Sequence, residues 1–200
     1  MVVELREIAL EILEYSWPML VISIIIAASF RIAFLIKTKE KLILHQELFN
    51  LAFIIYVLCL FHAVTFQDVA WSTANYIPFK EIFRYDIGSA LFLKNIFGNI
   101  ILFLPLGFFL AKYTKIEKPW VVLILVTLVS ISIEVTQGII GRVFDIDDII
   151  LNVIGGVLGF LLYKLFSKLG NLAPRIFKNE LFLNIVSILL VGGFLWFLIR

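Results

Sequence analysis

Apolar runs of about 20 residues recur along the whole chain, and they constrain the fold more than any other feature. A run of that length can cross the hydrocarbon core of a bilayer, about 30 Å thick, as one helix. Hydrophobic residues make up 62% of the 200 residues, whereas soluble domains contain about 45–50%. The runs lack the alternation of a membrane β-barrel. The sequence therefore predicts an all-α fold, a polytopic transmembrane helical bundle.

The apolar runs predict about six membrane helices and, before them, a short N-terminal surface helix. In residues 1–15 glutamates recur at helical intervals opposite apolar residues, which is typical of an amphipathic segment. Residues 16–200 are predicted to form a single transmembrane domain. The predicted spans are 16–36, 47–66, 95–113, 119–140, 149–166 and 181–199.

The distribution of basic residues predicts the orientation of the helices. Of the 17 Lys and Arg, Arg31 lies inside the first span and the other 16 lie between or beside the spans rather than in one stripe, so they do not indicate a nucleic-acid partner. Ten fall in or beside one set of alternate connections and six in the other set. Because connections rich in Lys and Arg stay in the cytoplasm, we expect both termini outside it.

Polar side chains lie near the ends of several predicted helices that meet one membrane face. Glu134 is about 9 Å below that face, and Asn99 and Asn152 are about 5–6 Å below it, at 1.5 Å per residue. Burying an ionisable side chain in a bilayer costs at least about 2.5 kcal/mol on insertion scales, so such residues usually face protein or a wet cavity. These residues are therefore predicted to face inward in a common layer.

The spacing of these residues predicts a polar pocket that opens on one membrane surface. Glu134 and Gln137 are three residues apart, and Asp148 and Asn152 are four apart, so each pair can share a helix face. Arg142, in the intervening turn, can neutralise one carboxylate. The same residues also allow a purely structural interpretation, in which they form interhelical hydrogen bonds.

Two further features have structural interpretations of their own. Asp147 or Asp148 can cap the helix that follows "DIDD", because a side-chain oxygen there accepts a free backbone N–H. Gly155 and Gly159 form a GxxxG pattern, which most often permits close approach of two helices.

The stretch "YIPFKEIFRY" lies between the second and third spans and is too apolar for a solvated linker. It is predicted to be a re-entrant or interfacial segment over the polar pocket, with Lys80 and Arg84 available to lipid phosphates. A membrane-surface helix without a ligand is an equally compatible interpretation.

Four stretches resemble, in order and spacing, the signatures of the VanZ-like membrane family: "YIPFKEI", "NIFGNIILFLPLGFFL", "SISIEVTQ" and "GRVFDIDDIILNVIGGVLGF". The resemblance covers about residues 49–163. It implies a bacterial cytoplasmic-membrane protein, associated in some members with low-level resistance to teicoplanin and related lipoglycopeptides, and it implies no established reaction. By motif, the candidate ligand-binding residues are Pro78, Phe79, Asn95, Asn99, Glu134, Gln137, Arg142, Asp145, Asp148 and Asn152.

Three functions remain open. The first is a non-enzymatic protein that binds an amphiphile, such as a membrane lipid, a lipid-linked cell-wall precursor or the tail of a lipoglycopeptide. The second is an enzyme acting on lipid headgroups, with Glu134 as acid or base and Asp145 and Asp148 holding a cation such as Mg²⁺. The third is a small lipid transporter or flippase. The sequence contains no zinc spacing or phosphate-binding glycine loop and no evident nucleophile with a paired base, so we expect binding, without a cofactor.

Overall fold

The fold is helical in all of the chain that the computed structural model describes, residues 2–66, 74–84, 86, 89, 92–177 and 179–199. Within those residues there are seven α-helices, one π-helix and no strand beyond an isolated bridge. This confirms the predicted all-α fold. The helices are α1 (Val2–Thr38), α2 (Leu44–Phe66), a π-helix (Leu93–Phe97), α3 (Gly98–Thr114), α4 (Pro119–Ile139), α5 (Ile146–Leu172), α6 (Pro174–Phe177) and α7 (Glu180–Ile199).

Five helices in the described part of the chain are long and apolar enough to cross a membrane, so this is a multi-pass membrane protein. They are α1, α2, α4, α5 and the continuous run of the π-helix with α3, and they coincide with the first five predicted spans. The sixth prediction coincides with α7, an apolar helix of 20 residues.

The N-terminal segment differs from the prediction in one respect, because it is not a separate helix. Helix α1 runs without a break from Val2 through the first span. The first turns are rich in Glu and Leu, which favour a helix, and no glycine or proline interrupts them before Pro18. Most side chains of the predicted amphipathic face, in residues 2–5, 7–9 and 11–12, lie outside the described residues.

The helices form two compact units, of which the first comprises residues 1–63 and 169–200. In this unit Arg31 of α1 forms a bidentate ion pair with Glu47 of α2, with Nε–Oε2 and Nη2–Oε1 distances of 3.0 and 2.7 Å. The backbone N–H of His45 donates to Asn184 Oδ1 at 2.9 Å, which joins α2 to α7. Polar contacts thus connect three apolar helices here.

The second unit, residues 64–168, is built around glycines that bring helix backbones together. A Cβ atom on Gly155 would lie 2.2 Å from the carbonyl oxygen of Ile100, and one on Gly159 would lie 1.9 Å from that of Leu104. Only glycine fits at such distances, so the predicted packing role of the GxxxG pattern is confirmed. This close contact between α3 and α5 holds the polar ends of the helices in register.

Candidate functional site

The buried carboxylate of Asp147 holds the loop at residues 76–84, which we call the 76–84 loop. The Phe79 N–H donates to Asp147 Oδ1, and those of Glu81 and Ile82 donate to Oδ2 at 2.7 and 3.2 Å. Phe79 has a φ of 66°, a conformation that is uncommon for a residue with a side chain. Asp147 therefore gathers three backbone donors and keeps the loop in a strained shape.

Asn75 joins this loop to the start of α5. Its backbone N–H donates to the Phe144 carbonyl at 2.9 Å, and its carbonyl accepts from the Ile146 N–H at 3.0 Å. Its side-chain amide donates to Asp145 Oδ1 at 2.8 Å. Sequence reasoning missed both Asn75 and the anchoring role of Asp147. The one signal for Asn75 was its place directly before the "YIPFKEI" signature.

Asp145 is the residue that caps α5, so the expectation that Asp147 or Asp148 does so was wrong. The helix begins at Ile146, which makes Asp145 the flanking residue, and its Oδ1 accepts the N–H of Asp147 at 2.8 Å. Burial raises the pKa of the Asp145 carboxyl above its ordinary value, although the hydrogen bonds from Asp147 and Asn75 oppose that shift.

Glu134 has both carboxylate oxygens occupied by donors of the fold, and only 2% of the residue is exposed. The Asp145 N–H donates to Oε2 at 2.9 Å. The hydrogen-bond network orients the Gln137 amide so that its nitrogen donates to Oε1 at 3.1 Å, while its oxygen accepts from Arg142 Nη1 at 3.2 Å. Arg142 also donates to the Val64 carbonyl. Gln137 thus bridges Arg142 to Glu134.

A second group of polar residues, which we call the Asp148 cluster, consists of Asn99, Ser130, Asp148 and Asn152. The Asn99 amide donates to Asp148 Oδ1, and the Asn152 amide donates to Ser130 Oγ at 3.0 Å. Asn152 is buried, and its Oδ1 has no hydrogen-bond partner within the described part of the chain. Unlike Glu134, this cluster keeps acceptor capacity that the fold does not use.

The structure brings seven of the ten candidate residues together. Within the described part of the chain, the side chains of the other three do not take part in this group. Asn95 lies half-buried in the π-helix and makes no hydrogen bond to the described cluster residues. Pro78 and Phe79 expose their side chains, and Phe79 takes part through its backbone alone. The residues that are brought together are Asn99, Glu134, Gln137, Arg142, Asp145, Asp148 and Asn152.

A family model described as VanZ/LLP1 matches residues 48–167, well over half of the chain. The chain belongs to this family. The matched range contains the 76–84 loop, the Asp148 cluster and nearly all of the second unit, whereas α1 and α7 lie outside it. Searches of curated proteins and of solved structures gave no match.

The 76–84 loop of this VanZ/LLP1-family protein presents apolar side chains outward. Tyr76, Ile77 and Phe79 are more than half exposed, and Phe83 is 81% exposed. Arg84 forms an ion pair with Glu81 at 3.0 Å. A loop with so many exposed apolar side chains beside membrane helices is suited to the interfacial region of a bilayer.

The carboxylates of this VanZ/LLP1-family protein do not form a metal cage in the described part of the chain. No three His, Cys, Asp or Glu side chains there are arranged to hold a metal ion. Asp145 and Asp147 are instead engaged by N–H donors of the loop and helix start. Mg²⁺ would therefore have to draw ligands from amide or backbone oxygens as well.

Proposed function

We propose that this VanZ/LLP1-family protein binds an amphiphile without transforming it. The polar headgroup lies at the Asp148 cluster, and the acyl chain lies along the apolar side chains of the membrane helices and the 76–84 loop. The candidates are a membrane lipid, a lipid-linked cell-wall precursor and the tail of a lipoglycopeptide. Such a site combines apolar walls with a few polar groups that orient the ligand.

The observation that carries this proposal is that some polar groups accept hydrogen bonds from the fold, whereas others keep acceptor atoms without a donor among the described residues. The carboxylates of Glu134, Asp145 and Asp147 accept hydrogen bonds that hold α4, α5 and the 76–84 loop in place. By contrast, Asn152 Oδ1 has no acceptor role within the described residues, and Asp148 accepts only from Asn99 there. Leaving a buried acceptor unsatisfied costs about 1–3 kcal/mol, and a ligand that donates to it removes that cost.

The location that we propose is the bacterial cytoplasmic membrane, with the Asp148 cluster at the outer leaflet. The ten-to-six distribution of basic residues supports this orientation. From the outer leaflet the site would meet lipoglycopeptides and cell-wall precursors directly. We therefore also propose a contribution to lipoglycopeptide tolerance.

Orientation is tested by labelling a cysteine placed in the turn between α4 and α5. The variant Val143→Cys is made in a Cys59→Ser background, which removes the single native cysteine. We expect an impermeant thiol reagent to label this position in intact cells, because the turn faces the outside. Labelling that occurs only after lysis would reverse the proposed orientation.

The function is tested by removing the charge of Asp148 in a host in which the wild-type protein raises lipoglycopeptide tolerance. Asp148→Asn keeps the size of the side chain and the oxygen that accepts from Asn99. We expect normal accumulation in the membrane but loss of protection, with a larger effect for compounds that carry a lipid tail than for tailless relatives. The measurement is the inhibitory concentration alongside membrane protein level.

The matched control is Glu117→Gln, which removes one carboxylate from an exposed position in the turn between α3 and α4. This variant should accumulate and protect like the wild type. Full protection by Asp148→Asn would contradict a ligand-binding role of the carboxylate and leave the cluster with a structural role.

A further inference from the structure

We propose that the Asp148 cluster selects a headgroup that carries a primary ammonium group. This inference rests on the proposed function, since it names the chemical class of the ligand at that site. It follows from three properties of the cluster: the kind of hydrogen-bonding atom that has no partner among the described residues, the charge around that atom, and the depth of the cluster in the membrane.

The cluster atoms that make no hydrogen bond at all within the described part of the chain are acceptors. The amide nitrogens of Asn99 and Asn152 already donate to Asp148 and Ser130. Among these atoms are Asn152 Oδ1, which is buried and without a partner in the described part of the chain, and the second oxygen of Asp148. A carbonyl and a carboxylate oxygen can only accept. A ligand that satisfies these two acceptors must therefore donate to them.

The charge around these acceptors favours a cationic donor over a neutral hydroxyl. The carboxylates of Glu134, Asp145 and Asp147 lie within electrostatic range of Asp148. Arg142 is bound to Gln137 and to the Val64 carbonyl, and so it faces the Glu134 side of the site. An ammonium group supplies positive charge and three N–H donors in one compact unit. A quaternary ammonium supplies the charge without the donors.

The depth of the cluster matches a headgroup at the membrane interface. Asp148 lies in the first turn of α5, and Asn152 lies one turn further along the helix, about 6 Å deeper. The apolar side chains of the 76–84 loop are exposed and can line the path of an acyl chain. A lipid amine would thus reach both acceptors while its chains remain in the apolar region.

The test uses the full-length wild-type protein in detergent micelles and four phospholipids with identical acyl chains. Their headgroups are ethanolamine, N-methylethanolamine, N,N-dimethylethanolamine and choline, so the number of N–H donors falls from three to none at constant charge. Binding is measured by native mass spectrometry and by the midpoint of thermal unfolding. We expect ethanolamine to bind about tenfold more tightly than choline, because a hydrogen bond to a charged group is lost.

A second arm repeats the comparison with Asp148→Asn and with Glu117→Gln as the matched control. Asp148→Asn replaces one of the two acceptors with an NH₂ donor, so its preference for ethanolamine over choline should be clearly smaller, whereas the control should keep the full preference. Equal binding of all four lipids by the wild type would overturn the headgroup inference while leaving amphiphile binding intact. A preference that stays undiminished in Asp148→Asn would overturn its assignment to this cluster. Failure to bind any lipid or lipoglycopeptide would overturn the proposed function as well.

Discussion

Replacing Gly107 with alanine is expected to prevent the second unit from folding, so that little protein accumulates in the membrane. A Cβ atom at this position would lie 1.8 Å from the carbonyl oxygen of Gly156 and 2.6 Å from its carbonyl carbon. Both are backbone atoms of α5, which cannot turn aside as a side chain can. Helices α3 and α5 would have to separate, which would also disrupt the close approaches at Gly155 and Gly159. Ordinary overpacking by a methylene costs about 1–3 kcal/mol, and a backbone collision should exceed it.

The measurement for Gly107→Ala is the amount of membrane-inserted protein and, where enough can be purified, its thermal unfolding midpoint. Gly98→Ala is the matched control, since Gly98 begins the same helix and a Cβ there would meet nothing within 4 Å. Alanine favours a helix over glycine by about 0.5–1 kcal/mol, so the control should be at least as stable as the wild type. Wild-type accumulation and melting of Gly107→Ala would contradict the glycine-mediated packing.

Replacing Asp147 with alanine is expected to release the 76–84 loop and to lower the free energy of unfolding by several kcal/mol. The N–H groups of Phe79, Glu81 and Ile82 would lose their acceptor, and each of these part-buried donors that finds no water in its place costs about 1–3 kcal/mol. The left-handed conformation of Phe79 would no longer be held in place. Asp147→Asn retains one acceptor oxygen, so its effect should be intermediate.

Hydrogen exchange and limited proteolysis within residues 76–84 measure the release of the loop, and thermal unfolding measures the loss of stability. Asp86→Ala is the matched control, because Asp86 is an exposed aspartate in the same connection. It should leave both measurements unchanged. Protection of the loop that persists in Asp147→Ala would show that other contacts hold the loop.

The sequence by itself determined the helices of this protein. Apolar runs of membrane length cannot be satisfied by loops or open strands in a bilayer, because every backbone polar group there needs a partner within the chain. The predicted spans therefore coincide with the observed helices. The spacing of Gly155 and Gly159 likewise predicted close helix packing, because side-chain size alone decides how near two backbones can come.

The sequence also predicted which helix ends bring polar residues together, because successive spans must alternate in direction. Helical rise placed Asn99, Glu134 and Asn152 near one face, and the structure buries Glu134 and Asn152 within one unit. The alternation of spans could not predict the hydrogen-bond partner of each residue.

Only the tertiary structure decided the roles of individual polar residues. Asp145, Asp147 and Asp148 stand within four positions of one another, yet one caps α5, one anchors the 76–84 loop and one faces Asn99. The loop that meets Asp147 is more than 60 residues away in the chain, and Asn75 is 70 residues from Asp145. Helix periodicity describes neighbours within about one turn, whereas the partner of a buried carboxylate depends on where a distant backbone happens to place its N–H groups.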